Sequence, residues 1–582
     1  MEEMLQQMVL WLQQFAEAKE SYVDVYTGFL RYAAPALAFI LLWRCLKPLL
    51  FFKREPEIWA WLHTADGSQY ALTHWENVIG CSKSSDVRID FSTVSRNHAV
   101  FTRYDDGSWT VTDANSKGGV MVNGQRVKIC ALEEDDVINI GGLDMTLVPI
   151  TKRQESLQAQ LRTKGASGFD SVANLLLLTI FQCLCCIGFL LGGDPGHYTT
   201  IIQGFGGIML AQWILFIFYA IIRRSAFEVE TVAFFLCTMG MAALASIKPA
   251  ETGKQLLAMY LGIAVFLTVG WSMRDLERAK KFRYLAVILG IGFLVFTLVF
   301  GEEQFGAKAW VKLAGMTLQP SELSKVCFVY AGASAMDRLM NKRNLFFFIL
   351  YSIAICGCLA LMNDFGTALI FFVAFLVIAY MRSGSVGTVG LACTALGFAG
   401  VIAVKIAPHA LRRFTVWRHI WEDPYGLGYQ QTRAIMCIAS GGLFGIGAGR
   451  GLLKNVFAAD SDIVFASISE EWGLIMACML VLSIVALALF CLRSASMARS
   501  SFYTIGAITA SAVMLTQVIL NCLGTVDVVP LTGVTFPFLS NGGSSMIGAW
   551  GLLAFIKAAD TRQNASFAVR LAKKVKGDAC DE

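Results

Sequence analysis

LIMACMLVLSIVALALFCL, residues 474–492, carries no charged side chain and is closed by Arg493. A stretch this long and apolar crosses a bilayer as a helix, because the helix satisfies its own backbone hydrogen bonds where no water reaches. The same signal recurs in both directions. Apolar segments of about 18–25 residues begin near Ala173, Ile201, Val229, Gln255, Tyr284, Glu322, Leu345, Gly366, Thr388, Trp472, Phe502 and Ser545. Another occupies residues 29–52 and ends in Lys53 and Arg54. Length and apolarity together predict about thirteen spans. Composition agrees: 56% of the 582 residues are hydrophobic and 16% charged, against about a quarter charged in an ordinary soluble domain. The fold class is a membrane all-α polytopic bundle.

One region interrupts it. Residues 55–150 carry charge, turn residues and short β-type runs: HAVFTRY from His98, SWTVTD from Ser108, VMVNG from Val120, DVINI from Asp136 and DMTLVPI from Asp144. Alternation punctuated by Gly, Asn and Asp predicts an all-β sandwich inserted after the first helix. The chain divides into an N-terminal segment with its anchor (1–54), the sandwich (55–150), a polar linker (151–171), a polytopic domain (172–560) and a basic tail (561–582). Met1 to Glu20 is acidic and polar, which is not the pattern of a cleaved signal peptide. The 16 cysteines show no metal-ligand spacing, and Cys183, Cys185 and Cys186 sit inside an apolar run as small hydrophobes. The net charge of +5 says less than where the charges fall.

Their positions set the orientation. Arg223-Arg224, Arg274 to Arg283, Arg338 to Arg343, Arg382, Arg493 to Arg499 and Arg562 to Lys576 lie on alternate connections, which belong in the cytoplasm with the sandwich. Connections 194–199, 248–253, 301–320, 409–471 and 523–543 then face outward, as does the N-terminus. Loop 409–471 breaks the charge rule. It holds Arg412, Arg413, Arg418, Arg433, Arg450 and Lys454 on the outer side, which points to a function for those cations there.

The runs VIGCSKSSDVRIDFSTVSRNHAVF (78–101), VTDANSKGGVMVNG (111–124) and LEEDDVINIGG (132–142) resemble a forkhead-associated (FHA) domain, a sandwich that binds phosphothreonine peptides through loops at one end. Ser95, His98, Asn123 and Gly124 match. The resemblance implies that Ser95 bonds phosphate and His98 is structural. Two departures concern the phosphate itself. The family's Arg after the first Gly is here Cys81, and its Asn-Gly-Thr is Lys117-Gly118-Gly119. Arg is the best bidentate phosphate partner, so Lys83, Arg96 or Lys117 would have to act as point charges. Phosphothreonine binding and docking of another cytoplasmic protein both stay open.

The membrane core carries its own motifs: GAKAWVKLAGMTLQPSELSK (306–325), NDFGTALIF (363–371), WEDPYGLGYQQTRA (421–434), SGGLFGIGAGRG (440–451), SDIVFASISEEWG (461–473) and VVPLTGVTFPFLSNGGSS (528–545). Glu322, Asp364, Asp423, Asp462, Glu470 and Glu471 sit near outer membrane boundaries, where ionisable groups are costly and usually functional. Gly441 to Gly451 and Gly542-Gly543 permit close backbone approach or re-entrant structure. Together these motifs resemble the SEDS family, the FtsW/RodA/SpoVE group, strongly over 280–560 and weakly over 172–280. The resemblance implies an enzyme that polymerises lipid II into glycan strands beside a class B penicillin-binding protein transpeptidase. Such proteins have about three spans ahead of the Trp310 loop, whereas about five are predicted here between residues 172 and 300, after the first anchor. Family Ser-Tyr-Gly-Gly-Ser is Ser540-Asn541-Gly542-Gly543-Ser544, and its Thr-Asp-Phe is Ser461-Asp462-Ile463.

Glycan polymerisation needs a base for the acceptor hydroxyl and positive charge for the departing pyrophosphate. Asp423 aligns with the family's essential Asp and is the expected base, with Glu422 beside it as the alternative. Arg412, Arg413, Arg418, Arg433, Arg450 and Lys325 are candidate pyrophosphate contacts. A divalent cation, Mg²⁺ or Mn²⁺, would share that role by bridging pyrophosphate oxygens. Asp462 is a further candidate in the substrate site. Trp310 is expected to stack on sugar or anchor its loop. Glu322 and Lys325, three apart on a helix, share a face and suit a lipid II contact or a structural ion pair. The rival functions are a lipid II flippase and a non-catalytic scaffold joining phosphosignalling to wall synthesis. Apolar mid-membrane runs argue against the first, and the intact Asp423 loop against the second. No nucleic-acid partner is expected.

Overall fold

The computed structural model describes the chain except for residues 1, 53–56, 83–84, 105–106, 162–165, 194, 305, 314–315, 336–341, 384–385, 407, 496–499 and 568–582. Lys53, Arg54, Lys83, Arg338 and the tail beyond Phe567 lie outside the described residues.

Helix α1 runs unbroken from Glu2 to Leu50. The apolar stretch predicted over 29–52 is its C-terminal part. In the helix's polar first third Glu, Gln, Met, Leu and Ala are strong helix formers with no Gly among them, so the helix continues. The linker contains a short helix α2 (Lys152–Leu161). The bundle then comprises α3 (Gly168–Gly192), α4 (Tyr198–Ile221), α5 (Glu228–Ile247), α6 (Thr252–Ser272), α7 (Leu276–Phe300), α8 (Ser321–Ala335), α9 (Lys342–Leu361), α10 (Phe365–Ser383) and α11 (Val386–Ile406). It is completed by α12 (Pro408–Val416), α13 (Tyr429–Gly441), α14 (Val464–Ala495), α15 (Ser501–Thr525) and α16 (Gly543–Ala558). Among the described residues nine helices are long and apolar enough to cross a membrane. The other four predicted segments correspond to α8, α9, α11 and α16.

In lipid, helices associate through close packing more than through the hydrophobic effect. Trp550 of α16 is fully buried among Phe234, Phe266 and Phe538, with ring centroids 5.1, 5.6 and 5.7 Å away. Gly262 on α6 leaves the room: a Cβ there would lie 2.8 Å from the Trp550 ring.

The two predicted sets of connections separate in space. On the outward side Thr252 bonds the Thr200 carbonyl, Lys248 meets Asp460, Gln319 meets Ser544 and Trp417 meets the Val528 carbonyl. On the other side Ser225 bonds Asn564 and Tyr503 bonds Met273. There the Lys280 ammonium lies 5.7 Å from the Tyr104 ring of the sandwich. The connection 301–320 forms a three-stranded sheet, Glu302–Gln304, Ala307–Leu313 and Met316–Leu318, and Trp310 sits half-buried on its middle strand. For this topology, thiol labelling of intact cells should modify Leu427→Cys and spare Asp90→Cys, in a background stripped of accessible native thiols. The reverse pattern would invert the molecule.

The sandwich packs a six-stranded sheet against a five-stranded one around its own core, which includes Trp59, Phe101, Trp109 and Ile138. All five runs read as strands are strands. Six more were missed, among them Ala60–Thr64 and Glu76–Gly80. The second, Glu-Asn-Val-Ile-Gly, opens with two polar residues and closes on Gly, so alternation had little length to show itself.

Candidate functional site

Loop 409–471 is structured. Amphipathic α12 and then α13 lie across the outer end of the bundle and dock on residues 524–533. Arg413 Nη1 donates to the Thr532 carbonyl at 2.9 Å and Trp417 Nε1 to Val528 at 3.2 Å. The Arg418 amide donates to the Asp527 carboxylate at 3.1 Å, and Gln431 Nε2 to the Gly524 carbonyl at 2.9 Å.

Asp423 opens the turn between α12 and α13. Its carboxylate accepts the amides of Gly426 (3.0 Å) and Leu427 (2.9 Å) and stays exposed to solvent. A side chain at Gly426 would collide with it. The turn-opening role and a base role are compatible, since each oxygen keeps a free lone pair. Glu422 is instead held by His419, 2.9 Å away. Arg433 stacks near the same loop, its guanidinium 5.6 Å from the Tyr425 ring and 5.3 Å from Tyr429. Arg418 lies 5.2 Å from the Trp417 ring, and Arg412 is exposed on α12.

Asp462 and Arg413 converge on Gly533. A Cβ built there would lie 3.3 Å from Asp462 Oδ2 and 3.9 Å from Arg413 Nη2. Gly533 also has φ +70°, a conformation other residues adopt only with strain. Burial pushes the Asp462 carboxyl above its usual pKa, opposed by the Ser461 hydroxyl and the Arg413 charge.

A second polar cluster adjoins the first through residues 460–462, and motif reading missed it. Lys248 Nζ donates to both oxygens of Asp460 (3.1 and 3.0 Å). Asn541 donates to Asp460 Oδ2 at 2.7 Å and to Glu251 Oε2 at 2.9 Å. Asn541 stands where the resemblance expects Tyr, and its amide joins two acidic residues. A signal existed: Lys248 is a cation on an outward connection, the same anomaly that marked loop 409–471.

Glu470 and Glu471 are buried and serve structure. Helix α14 breaks at Gly473 (φ 89°, ψ 161°). The glycine-rich stretch lies against the break, with Leu474 N bonding Gly442 O and Ile446 N bonding Glu470 O. The Glu470 carboxylate takes the amides of Leu452 and Leu453, and Glu471 those of Gly449 and Gly451. These bonds answer backbone groups that membrane depth would otherwise leave unpaired. Arg450 pairs with Asp24 of α1. Asp364 caps α10 through the Thr367 amide and also accepts from Gln319. Glu322 and Lys325 form an ion pair of 2.7 Å with side chains 6% and 2% exposed, next to Gly548 of α16.

At the sandwich loops, His98 is fully buried. Its Nδ1 accepts the Ser95 amide at 3.0 Å and its Nε2 lies 3.1 Å from the Gly119 carbonyl. Ser95 Oγ accepts the Lys117 amide at 3.0 Å. The Arg96 and Lys117 side chains are exposed at this end, while Cys81 is half-buried where the family places Arg.

Fold and site define a multi-pass membrane protein with a polar, cation-bearing outer face and a separate β-sandwich on the opposite side. The chain belongs to the FtsW/RodA/SpoVE family of cell cycle proteins, whose profile matches residues 231–565, and it carries an FHA domain matched over residues 77–141. The family region begins within α5, so α3 and α4 are the two additional spans. The peptidoglycan glycosyltransferase RodA of Mycobacterium tuberculosis is 28% identical over 325 residues, covering 53% of this chain and 69% of that protein. The probable peptidoglycan glycosyltransferase FtsW of Hydrogenovibrio crunogenus is 28% identical over 354 residues, covering 56% and 90%. A chain of a solved peptidoglycan synthase complex superposes with a TM-score of 0.49 at 24% identity, covering 57% of this chain and 96% of its own.

Proposed function

We propose that the protein is a peptidoglycan glycosyltransferase that polymerises lipid II on the outer face of the bacterial cytoplasmic membrane, paired with a class B transpeptidase. The observation that carries this reading is the exposed Asp423 carboxylate on a loop shared with Arg413, Arg418 and Arg433. In the reaction the acceptor sugar's 4-hydroxyl oxygen bonds to the donor anomeric carbon. The bond from that carbon to the lipid pyrophosphate breaks, and the hydroxyl proton passes to Asp423. Arg413 and Arg433 stabilise the departing pyrophosphate, and Asp462 orients Arg413. Trp310 stacks on sugar or anchors the outer sheet that carries it. Among the described residues no group of three or more His, Cys, Asp and Glu could hold a metal ion. A Mg²⁺ or Mn²⁺ shared between one or two carboxylates and the pyrophosphate oxygens would add positive charge for the leaving group. The test is polymerisation of labelled lipid II by the purified protein with its transpeptidase. Glycan chains resolved by length support the reading, and their absence alongside leaflet-to-leaflet movement of lipid II overturns it in favour of a flippase.

The FHA domain supplies a cytoplasmic docking surface. With Cys81 in place of Arg, the charge-assisted bonds lost are worth about 1.5–3 kcal/mol each. Calorimetry on residues 55–155 should show phosphothreonine peptides binding no better than their unphosphorylated forms. A gain of about tenfold or more, 1.4 kcal/mol, would mean that Arg96 and Lys117 have replaced the missing Arg.

A further inference from the structure

On the side that faces the cytoplasm, the ends of α4 and α6 and the chain after α16 line a half-open cavity of about 340 Å³. Phe218, Leu267 and Phe567 supply apolar walls, and Arg224 and Arg274 line it with Trp271. Arg224 is buried, whereas Arg274 is exposed at the rim. A third cation adjoins it: the Arg278 guanidinium stacks 4.2 Å from the Trp271 ring and donates to the Trp271 carbonyl at 3.3 Å. Behind the cavity, Glu230 pairs with Lys557 and Tyr219, and Glu228 and Asp560 pair with Arg562. Asp275 and Glu277 share the stretch with Arg274 and Arg278, so with Arg224 the arginines outnumber these acids by one.

We propose that this cavity binds an anionic glycerophospholipid of the cytoplasmic leaflet, its phosphate between Arg224 and Arg274 and one acyl chain along Phe218 and Leu267. Charge and shape select the ligand together. A free phosphate would gain nothing from aromatic walls, and an uncharged lipid nothing from three arginines. Trp271 is 53% exposed, and tryptophan favours the headgroup level of a bilayer. Basic pockets between helices on the cytoplasmic side are suited to acidic headgroups. The site involves α4, one of the three spans ahead of the family region, and it is independent of the outer-face chemistry.

Native mass spectrometry of the full-length protein, released from micelles holding equimolar phosphatidylglycerol and phosphatidylcholine of identical chains, tests it. Wild type should retain phosphatidylglycerol in preference. Arg274→Gln/Arg278→Gln should lower the bound ratio about tenfold. Thr268→Trp, which fills the cavity from its lining, should reduce retention of both lipids. Arg493→Gln, a cytoplasmic cation away from the cavity, should leave the ratio unchanged. Equal retention of the two lipids by wild type, an unaltered ratio in the double variant, or an equal loss in Arg493→Gln would overturn the site. Displacement of phosphatidylglycerol by equimolar polyprenyl phosphate would overturn the glycerophospholipid assignment.

Discussion

Asp423→Asn should abolish glycan polymerisation while leaving the fold intact. Asn keeps the shape of the side chain and one acceptor oxygen, so the turn bond to the Gly426 or Leu427 amide survives in part. It cannot take the proton of the attacking hydroxyl. General-base catalysis is worth about 10²–10⁴-fold, and the loss should fall on turnover with lipid II binding largely preserved. Arg413→Ala or Arg433→Ala should act differently. Arg413 bonds the Thr532 carbonyl and flanks Asp462, so its removal should weaken donor binding or leaving-group stabilisation. The measurement compares purified variants with labelled lipid II and the partner transpeptidase, resolving products by length. Wild-type rates from the Asn variant would remove Asp423 from the mechanism and make Glu422 the leading base.

The second large effect is on stability. Lys325→Met leaves the Glu322 carboxylate buried without its cation. Removing one partner of a buried pair costs about 3–5 kcal/mol, whereas replacing both is often close to neutral. The single variant should show a lowered apparent Tm and poor recovery in detergent, and Glu322→Gln/Lys325→Met should regain most of the loss. A lipid II contact predicts the opposite pattern: an unchanged Tm in Lys325→Met with a raised KM for lipid II. That result would move the pair from structure into the substrate site.

How much was legible beforehand depended on how local each constraint is. Spans were legible because the bilayer acts on each segment separately. Apolar length registers residue by residue, and alternating Arg-rich connections assign the sides. The same holds for the sandwich runs and for the Asp423 loop, whose residues lie together in one motif. Tertiary structure decided the rest. Helix α14 was expected to begin near Trp472, because Glu470 and Glu471 read as boundary charges. It begins at Val464, and both carboxylates are buried because the amides of residues 449–453 converge on them. The bridge from Lys248 through Asp460 to Asn541 joins residues far apart in the chain, and no local pattern marks which acid meets which base. Glu322 and Lys325 were recognisable as neighbours from their spacing alone. That they are buried beside Gly548 of α16 became visible only when the helices were packed, since burial belongs to the assembled bundle and spacing to the single helix.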